Sequence, residues 1–396
     1  MKWGQGGDPE LDVNPPAPAG GNGGATDVGV TADTINIGQM VSNSGISAGT
    51  FDGVIESAQK YADLVNAGGG IYGRKIKIAV KDDSFDVTKD TTLCTPLVDS
   101  SFALVGSMAL ADTGCYSKMK SSGIPLVAGL SWDPNIAKLP NAYIPPPNEY
   151  SSLPPAIYKA LNPDLKKVWL CMTGAPGTEA QGKAETAAWE AVGVQVVNQG
   201  TLPGNVADYT AAVLKAKNAG AQGIDCFSTQ VQVTAAIAKA VVQQGWKPMF
   251  ATGFSVYDPN FIKLAGDAAN NGWAYAASVP YLDEGLIAST AGGQQYIKQV
   301  GHAPQTASDY FGWEFMNLAV QALVKAGPDL TRKSFLDALS GIHKFTAGGL
   351  VPAWDPGAKN EMSSCFALQV IKDGKFVQTV PEEGSILCGG DFFPKS

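Results

Sequence analysis

The chain has 396 residues, of which 45% are hydrophobic, so it is long enough for two domains and too apolar to be mostly disordered. Its 36 acidic and 28 basic residues give a formal net charge of -8, and no basic run stands out, which argues against nucleic acid as a partner. No apolar stretch approaches the roughly 20 residues that a membrane-spanning helix needs.

The first 27 residues are predicted to form a flexible tether. Residues 4–26 are rich in Gly, Pro, Asn and Ala and offer too little apolar surface to fold. Residues 1–3 lack the apolar core of a signal peptide.

A strand, a helix and a second strand open the folded part of the chain. Residues 34–40 predict the first strand, and residues 54–65 place their apolar side chains on one helical face. Glycines at 68–70 end that helix, and the alternation in residues 75–83 predicts a strand that ends at Asp82 and Asp83. Because adjacent strand residues point to opposite faces, we expect a solvated strand end rather than paired catalytic carboxylates.

The run from residue 54 to 83 combines this helix, the turn Gly-Gly-Ile-Tyr-Gly-Arg and the strand ending in Asp-Asp. It resembles the first lobe of type I periplasmic binding proteins, above all the receptors for branched-chain amino acids. The resemblance covers roughly residues 31–380. It implies two doubly wound α/β lobes joined by three hinge crossings.

Alternating strands and helices continue along the chain, which itself favours α/β lobes with parallel sheets. Further strands are predicted at 102–106, 124–129, 168–172, 194–197, 224–227 and 249–251, and helices at 184–192, 209–218, 233–244, 309–326 and 332–340. The expected crossings lie at the prolines 145–147, at residues 273–279 and at residues 348–356. A terminal hairpin is predicted from residues 365–370 and 375–379. The expected division is a tether (1–27), lobe 1 (28–145 and 280–350) and lobe 2 (146–279 and 351–396).

Six widely spaced cysteines fit an oxidising compartment and argue against a zinc site. Sequence order suggests three disulfides: Cys94 with Cys115, Cys171 with Cys226, and Cys365 with Cys388. The alternative is six buried thiols in a cytosolic protein.

Catalytic and metal-binding apparatus is not evident in the sequence. The two histidines, His302 and His343, lie in polar stretches and are expected to be exposed rather than set against a nucleophile. We find no metal-ligand spacing and predict no cofactor and no enzymatic activity.

Ligands of open α/β sheets bind beyond the carboxyl ends of the strands. In lobe 1 this rule selects residues 107–113, whose backbone N–H groups are expected to hold a carboxylate or carbonyl oxygen, although helix capping by Asp112 or Thr113 also explains them. The resemblance aligns residues 130–134 with the segment that grips the ligand carboxylate. The lobe 1 candidates are Phe51 (an aromatic lid), Ser107, Met108, Ala109, Ala111, Leu130, Ser131 and Trp132.

Further candidates are Thr178, Gln230 and Phe254 in lobe 2, and Tyr310 on the helix at 309–326. In the amino-acid receptors of the family, the position of Phe254 usually supplies an acidic side chain for the ligand ammonium group. Asp112, Glu179 or Asp309 would have to replace it, since a buried unpaired ammonium group is costly. We therefore expect a small apolar or aromatic carboxylate or amide, although these apolar residues also suit lobe packing.

The resemblance implies a monomeric receptor outside the cytoplasm, in the periplasm or on the cell surface, that delivers a small molecule to the membrane subunits of an ABC importer. A flexible tether is typical of the segment after a lipoprotein cysteine. That cysteine is absent from this chain, so a lipid anchor is a hypothesis. The alternatives are a receptor for branched-chain or other aliphatic amino acids, and a ligand-sensing receptor module.

Overall fold

The computed structural model describes residues 3–45, 48–131, 133–144, 153–174, 178–198, 200–204, 206–252, 256–270, 273–277, 280–359 and 365–388. Two sheets flanked by helices organise these residues, and each sheet lies in its own lobe. Among the described residues, no helix is both long and apolar enough to cross a membrane.

The sheet of lobe 1 has five parallel strands in the order β2-β1-β3-β4-β5. The strands are β1 (Thr34–Val41), β2 (Lys75–Asp82), β3 (Ala103–Ala109), β4 (Leu126–Ser131) and β5 (Ala142–Tyr143). The helices between them are α1 (Asp52–Ala67), α2 (Val87–Ser100), α3 (Tyr116–Ser122) and α4 (Pro134–Ala137). β3 and β4 extend beyond their predicted ends, so Ser107, Met108, Ala109 and Ser131 are strand residues rather than loop residues.

The sheet of lobe 2 has the order β12-β11-β10-β9-β8-β6-β7, and β13 pairs with β11. Its strands are β6 (Lys167–Met172), β7 (Gln195–Asn198), β8 (Gly223–Ser228), β9 (Met249–Thr252), β10 (Trp273–Ala277), β11 (Cys365–Lys372), β12 (Lys375–Val380) and β13 (Leu387–Cys388). Its helices are α5 (Leu153–Leu161), α6 (Thr178–Ala191), α7 (Thr210–Asn218), α8 (Val231–Gln243) and α9 (Pro259–Ala265). The predicted crossing at 273–279 therefore begins as a strand of this sheet.

After β10 the chain returns to lobe 1 as α10 (Glu284–Ala288), α11 (Ala291–Val300), α12 (Ala307–Ala326) and α13 (Arg332–Ser340). α12 packs along α1 and over β3 and β4. Trp313 lies at the centre of this contact, with its ring 4.7 Å from that of Tyr61 on α1 and 5.2 Å from that of Tyr296 on α11. We propose the lobe boundaries given above for the protein.

The glycine-rich turn before β2 positions a buried arginine. Gly70 has φ +81°, and a Cβ there would lie 2.1 Å from the Arg74 carbonyl oxygen, so only glycine suits the position. Arg74 is 1% exposed, and its guanidinium donates hydrogen bonds to the carbonyl oxygens of Thr31 (2.8 Å) and Pro328 (2.7 Å). The turn thereby joins the start of β1 to the end of α12.

The N-terminal segment is packed where its composition predicts a free tether. Trp3 is 8% exposed within the lobe 1 core. The Asn14 amide donates to the carbonyl oxygens of Val65 (2.7 Å) and Gly70 (3.3 Å). Polar side chains and backbone contacts, which composition does not reveal, hold the segment against the surface formed by α1 and α12.

All six cysteines form the three disulfides that sequence order suggests: Cys94–Cys115, Cys171–Cys226 and Cys365–Cys388. The first joins α2 to the start of α3, the second joins β6 to β8, and the third joins β11 to β13. Each one links neighbouring elements of a single lobe, so none restrains one lobe against the other.

Candidate ligand-binding site

The carboxyl ends of β3 and β4 bring four of the predicted residues around one small cavity of about 30 Å³. Ser107, Ala109, Leu130 and Ser131 line it together with Asp112. The remaining wall is apolar and consists of Met40, Leu104, Met119, Leu126, Ala128, Ile136 and Ile144. A space of this volume is about that of one water molecule, so in this conformation it is a gap in the lobe 1 core at the strand ends and not room for an organic ligand.

Strand alternation turns Met108, the third predicted residue of β3, away from this cavity. Met108 is fully buried in the apolar core on the α1 and α12 side of the sheet, whereas Ser107 and Ala109 face the opposite side. Ser107 Oγ accepts a hydrogen bond from the Met40 backbone N–H at 3.2 Å. Ala111 is buried just before the 3₁₀ turn at Asp112–Gly114.

Ser131 binds a buried carboxylate in this structure. Its hydroxyl lies 2.6 Å from Asp112 Oδ2 and 3.1 Å from the Asp133 carbonyl oxygen, and Ser131 is 4% exposed. Because a hydroxyl has one proton to donate, a ligand carboxylate would have to compete with Asp112 for it. Trp132 lies outside the described residues.

Phe51 and Tyr310 both belong to the core of lobe 1, where they are 7% and 3% exposed. Phe51 immediately precedes α1, and its backbone N–H donates to Asn43 Oδ1 at 2.8 Å. A side chain this deeply buried forms part of a wall, and it would have to move outwards to act as a lid.

A row of aromatic rings links the two sheets. Phe376 on β12 contacts Tyr257 after β9, with ring centroids 4.8 Å apart, and Tyr257 contacts Tyr281 at 4.7 Å. Tyr281 stacks on Tyr310 of α12 at 5.6 Å, and Tyr310 contacts Phe311 at 4.5 Å. Sequence reasoning placed only Tyr310 near the site; the only sequence signal for the others is the position of Tyr257 and Tyr281 shortly after strand ends.

Two predicted residues of lobe 2 lie at helix starts. Thr178 begins α6 and is 1% exposed. Gln230 precedes α8, yet its side chain does not cap the helix, and its Oε1 atom is buried without a hydrogen-bond partner. Phe254 lies outside the described residues.

The three carboxylates that the sequence offers for a ligand ammonium group have partners within the protein. Glu179 is exposed and pairs with Lys183 at 2.9 Å. Asp309 Oδ2 accepts the backbone N–H groups of Gln305 and Thr306, each at 2.8 Å. Asp112 binds Ser131 as described above. A ligand ammonium group would therefore have to share any of the three carboxylates with a partner inside the protein.

Both histidines lie at the surface of the described structure. His302 and His343 are both exposed, as predicted, and His343 pairs with Asp355 at 2.7 Å. Within the described ranges, no three His, Cys, Asp or Glu side chains are arranged to hold a metal ion.

Comparison with known proteins agrees with this architecture. A family model described as periplasmic binding protein matches residues 34–375. No curated protein sequence matches the chain significantly.

Solved structures resemble the chain over nearly its full length. A fatty acid ABC transporter substrate-binding protein from Thermomonospora curvata has 18% identity and a TM-score of 0.77, and the alignment covers 92% of this chain and 95% of that one. A branched chain amino acid ABC transporter from Thermus thermophilus with bound valine has 18% identity and a TM-score of 0.74, covering 91% and 98%. The substrate binding protein LivJ from Streptococcus pneumoniae in complex with isoleucine has 18% identity and a TM-score of 0.70, covering 88% and 100%.

Proposed function

This chain belongs to the periplasmic binding protein family, and from that premise we propose that it captures a small apolar or aromatic carboxylate or amide between its lobes and delivers it to an ABC importer. Members of the family act outside the cytoplasm and bind small molecules without transforming them. The protein is therefore an extracytoplasmic binding protein rather than an enzyme. A monomeric state and a lipid anchor upstream of this chain belong to the same proposal.

The observation that carries the ligand class is the commitment of Asp112, Glu179 and Asp309 to partners within the protein. An ammonium group in a closed cleft needs an anionic partner because its desolvation costs several kcal/mol. A carboxylate or amide needs only hydrogen-bond donors, which backbone N–H groups at strand ends and helix starts supply.

Gln230 is the lobe 2 residue best suited to contact such a ligand. A buried amide end without a partner is unfavourable until something binds it. Because the two ends of a glutamine amide exchange by a flip, it offers either an N–H to a carboxylate or an oxygen to an amide. Neither interaction requires a charged ligand nitrogen.

The similar structures support both the proposal and its alternative. The fatty acid-binding relative from Thermomonospora curvata takes an apolar carboxylate, as we propose here. The relatives with bound valine and isoleucine favour the alternative, an aliphatic amino acid. The pairing of the three carboxylates within the protein supports the first.

A ligand panel tests the proposal directly. Purified protein is titrated by calorimetry with octanoate, phenylacetate, hexanamide, leucine and valine, and each compound is also tested by thermal shift. At about 100 times its dissociation constant a ligand stabilises by about 2.7 kcal/mol, which is readily measured as a rise in melting temperature. Binding of leucine and valine without binding of the acids or the amide would contradict the proposed ligand class.

The role of Gln230 is tested on the ligand that binds best in this panel. Replacing Gln230 by Ala removes about one net hydrogen bond, so we expect affinity to fall roughly five- to tenfold. Gln243→Ala, at the exposed far end of the same helix, is the matched control and should leave affinity unchanged. Equal affinities of the two variants would remove Gln230 from the site.

A further inference from the structure

Three carboxyl groups lie buried at the edge of the lobe 1 sheet where the ligand loops begin. Asp83 follows β2, Asp90 lies in the first turn of α2, and Asp112 begins the 3₁₀ turn after β3. Their exposed fractions are 0%, 0% and 3%, and we refer to them as the aspartate cluster. Sequence reasoning expected a solvated strand end at Asp83, and this expectation is wrong because α2 and the 3₁₀ turn cover it.

Hydrogen bonds join the aspartate cluster to the ends of all four major strands. Ser42, directly after β1, donates to Asp83 Oδ1 at 2.6 Å and accepts the Leu110 backbone N–H, after β3, at 2.7 Å. Ser131 at the end of β4 lies 2.6 Å from Asp112 Oδ2. Any change in the cluster is therefore transmitted to the loops that border the cavity.

Of the three aspartates in the cluster, Asp90 has the fewest hydrogen-bond donors to stabilise a negative charge. Its two carboxyl oxygens are buried, and no hydrogen bond of normal geometry reaches either one, although the Cys115 backbone N–H faces the group. Burial, together with the negative charges of Asp83 and Asp112, raises the pKa of Asp90 to about 7, although the Cys115 backbone N–H lowers it in part. A buried carboxylate without donors is costly, so the environment of Asp90 favours its protonated, neutral form.

The charged groups around the cluster do not neutralise it. Lys89 on α2 binds Ser84 Oγ at the exposed rim, near Asp82 and Asp83. On α3, Lys118 pairs with Asp99 at 2.5 Å, and Lys120 lies over the Tyr116 ring. β1 contributes no titratable residue.

We propose that Asp90 is a positioning residue of the ligand site: by holding its proton it keeps a third negative charge out of the buried aspartate cluster, and the loops after β1, β3 and β4 stay together. Loss of that proton puts three negative charges in one buried cluster, and the loops separate. The effect on ligand affinity rests on the function proposed above, but the effect on the loops does not.

Hydrogen exchange measured by mass spectrometry tests the effect on the loops without a ligand. Peptides covering residues 107–115 and 126–133 are compared between pH 6 and pH 9 in the wild type, Asp90→Asn and Asp90→Ala. In the wild type, protection falls above about pH 7 by up to about tenfold per pH unit, as loss of a single proton dictates. Asp90→Asn has the same shape and carries no charge at any pH, so it stays protected, whereas Asp90→Ala leaves a cavity beside the loops and is poorly protected throughout.

Glu185→Gln is the matched control, since it removes a buried carboxyl group from lobe 2. It should follow the wild type in these peptides. A pH-dependent loss of protection in Asp90→Asn equal to that of the wild type would overturn the proposal.

A second variant keeps the test decisive if Asp90→Asn does not fold. Asp112→Asn removes one neighbouring negative charge while keeping an acceptor for Ser131. The midpoint of the wild-type transition should then move to lower pH, because Asp90 would hold its proton less tightly. An unchanged midpoint in that variant would also overturn the proposal.

Calorimetry with octanoate and leucine at pH 6 and pH 9 separates this inference from the proposed function. If either probe binds, its affinity should fall with pH in the wild type and not in Asp90→Asn. If neither binds at either pH, the proposed ligand classes fail, and the exchange data alone decide on Asp90.

Discussion

Buried carboxyl groups with raised pKa values reduce the negative charge that this protein carries at neutral pH. Glu314 on α12 is 7% exposed, and burial raises its pKa to about 8, although the nearby indole N–H of Trp354 lowers it in part. Burial also raises the pKa of Asp225, in the lobe 2 core, to about 6. Glu314 therefore supplies no negative charge to a ligand at pH 7, even though the sequence counts it as acidic.

Glu314→Gln should remove a pH dependence of stability. A carboxyl group whose pKa is raised on folding stabilises the protein at low pH, and that contribution is lost as pH rises towards its folded value. The free energy of unfolding of the wild type should thus fall relative to Glu314→Gln by about 1.4 kcal/mol per pH unit between pH 4.5 and pH 8. Urea unfolding at several pH values measures this difference, and a constant difference would show that Glu314 is ionised in the fold.

At the scale of elements, the N-terminal segment acts as part of lobe 1. Trp3 reaches the apolar core, and Asn22 donates to the carbonyl oxygens of Ala32 (2.8 Å) and Tyr72 (2.9 Å). Leu11 and Gln321 on α12 are also joined by a 2.8 Å hydrogen bond. Backbone and side-chain amide hydrogen bonds hold this segment in place, so it packs on lobe 1 without the apolar periodicity by which a helix or strand is recognised in a sequence.

Asn14→Ala should destabilise the protein by about 1–2 kcal/mol, because two carbonyl oxygens of the α1 turn lose their donor. Gln5→Ala, at an exposed position of the same segment, is the control and should stay within about 0.5 kcal/mol of the wild type. Calorimetric melting measures both. Equal melting temperatures for the two variants would mean that the segment is detached in solution.

At the scale of the whole molecule, the aromatic row from Phe376 to Phe311 is a continuous contact between the lobes. Tyr281 lies at its centre, between Tyr257 of lobe 2 and Tyr310 of lobe 1. Its hydroxyl also donates to the Tyr257 carbonyl oxygen. Since each disulfide lies within a single lobe, such packing helps to set the relative position of the lobes.

Tyr281→Ala should widen the distribution of lobe positions and destabilise the protein by about 3–5 kcal/mol, the usual cost of removing a large buried aromatic side chain. Tyr281→Phe keeps the ring contacts and loses only the hydrogen bond, so it is the matched control. Small-angle X-ray scattering should show a larger radius of gyration for Tyr281→Ala alone. Identical scattering from both variants would show that the lobes are held by other contacts.

Much of the fold follows from local patterns. Strand alternation and helical periodicity predicted most of the strands and several of the helices in both lobes, and the two-residue turn at Asp373 and Gly374 predicted the terminal hairpin, which is confirmed as β11 and β12. The predicted α/β fold class is confirmed by the two largely parallel sheets and by the family match. These features depend on residues a few positions apart, which is the range over which backbone geometry repeats.

The site depends on residues far apart in the chain, and only the tertiary structure brings them together. Sequence reasoning selected Ser131 as a ligand residue, but the pairing of β4 with β3 places Asp112 against its hydroxyl. It expected Asp83 to be solvated, yet packing of α2 buries it beside Asp90. Burial and long-range pairing change both the charge and the availability of a side chain, and neither is encoded in its immediate neighbours.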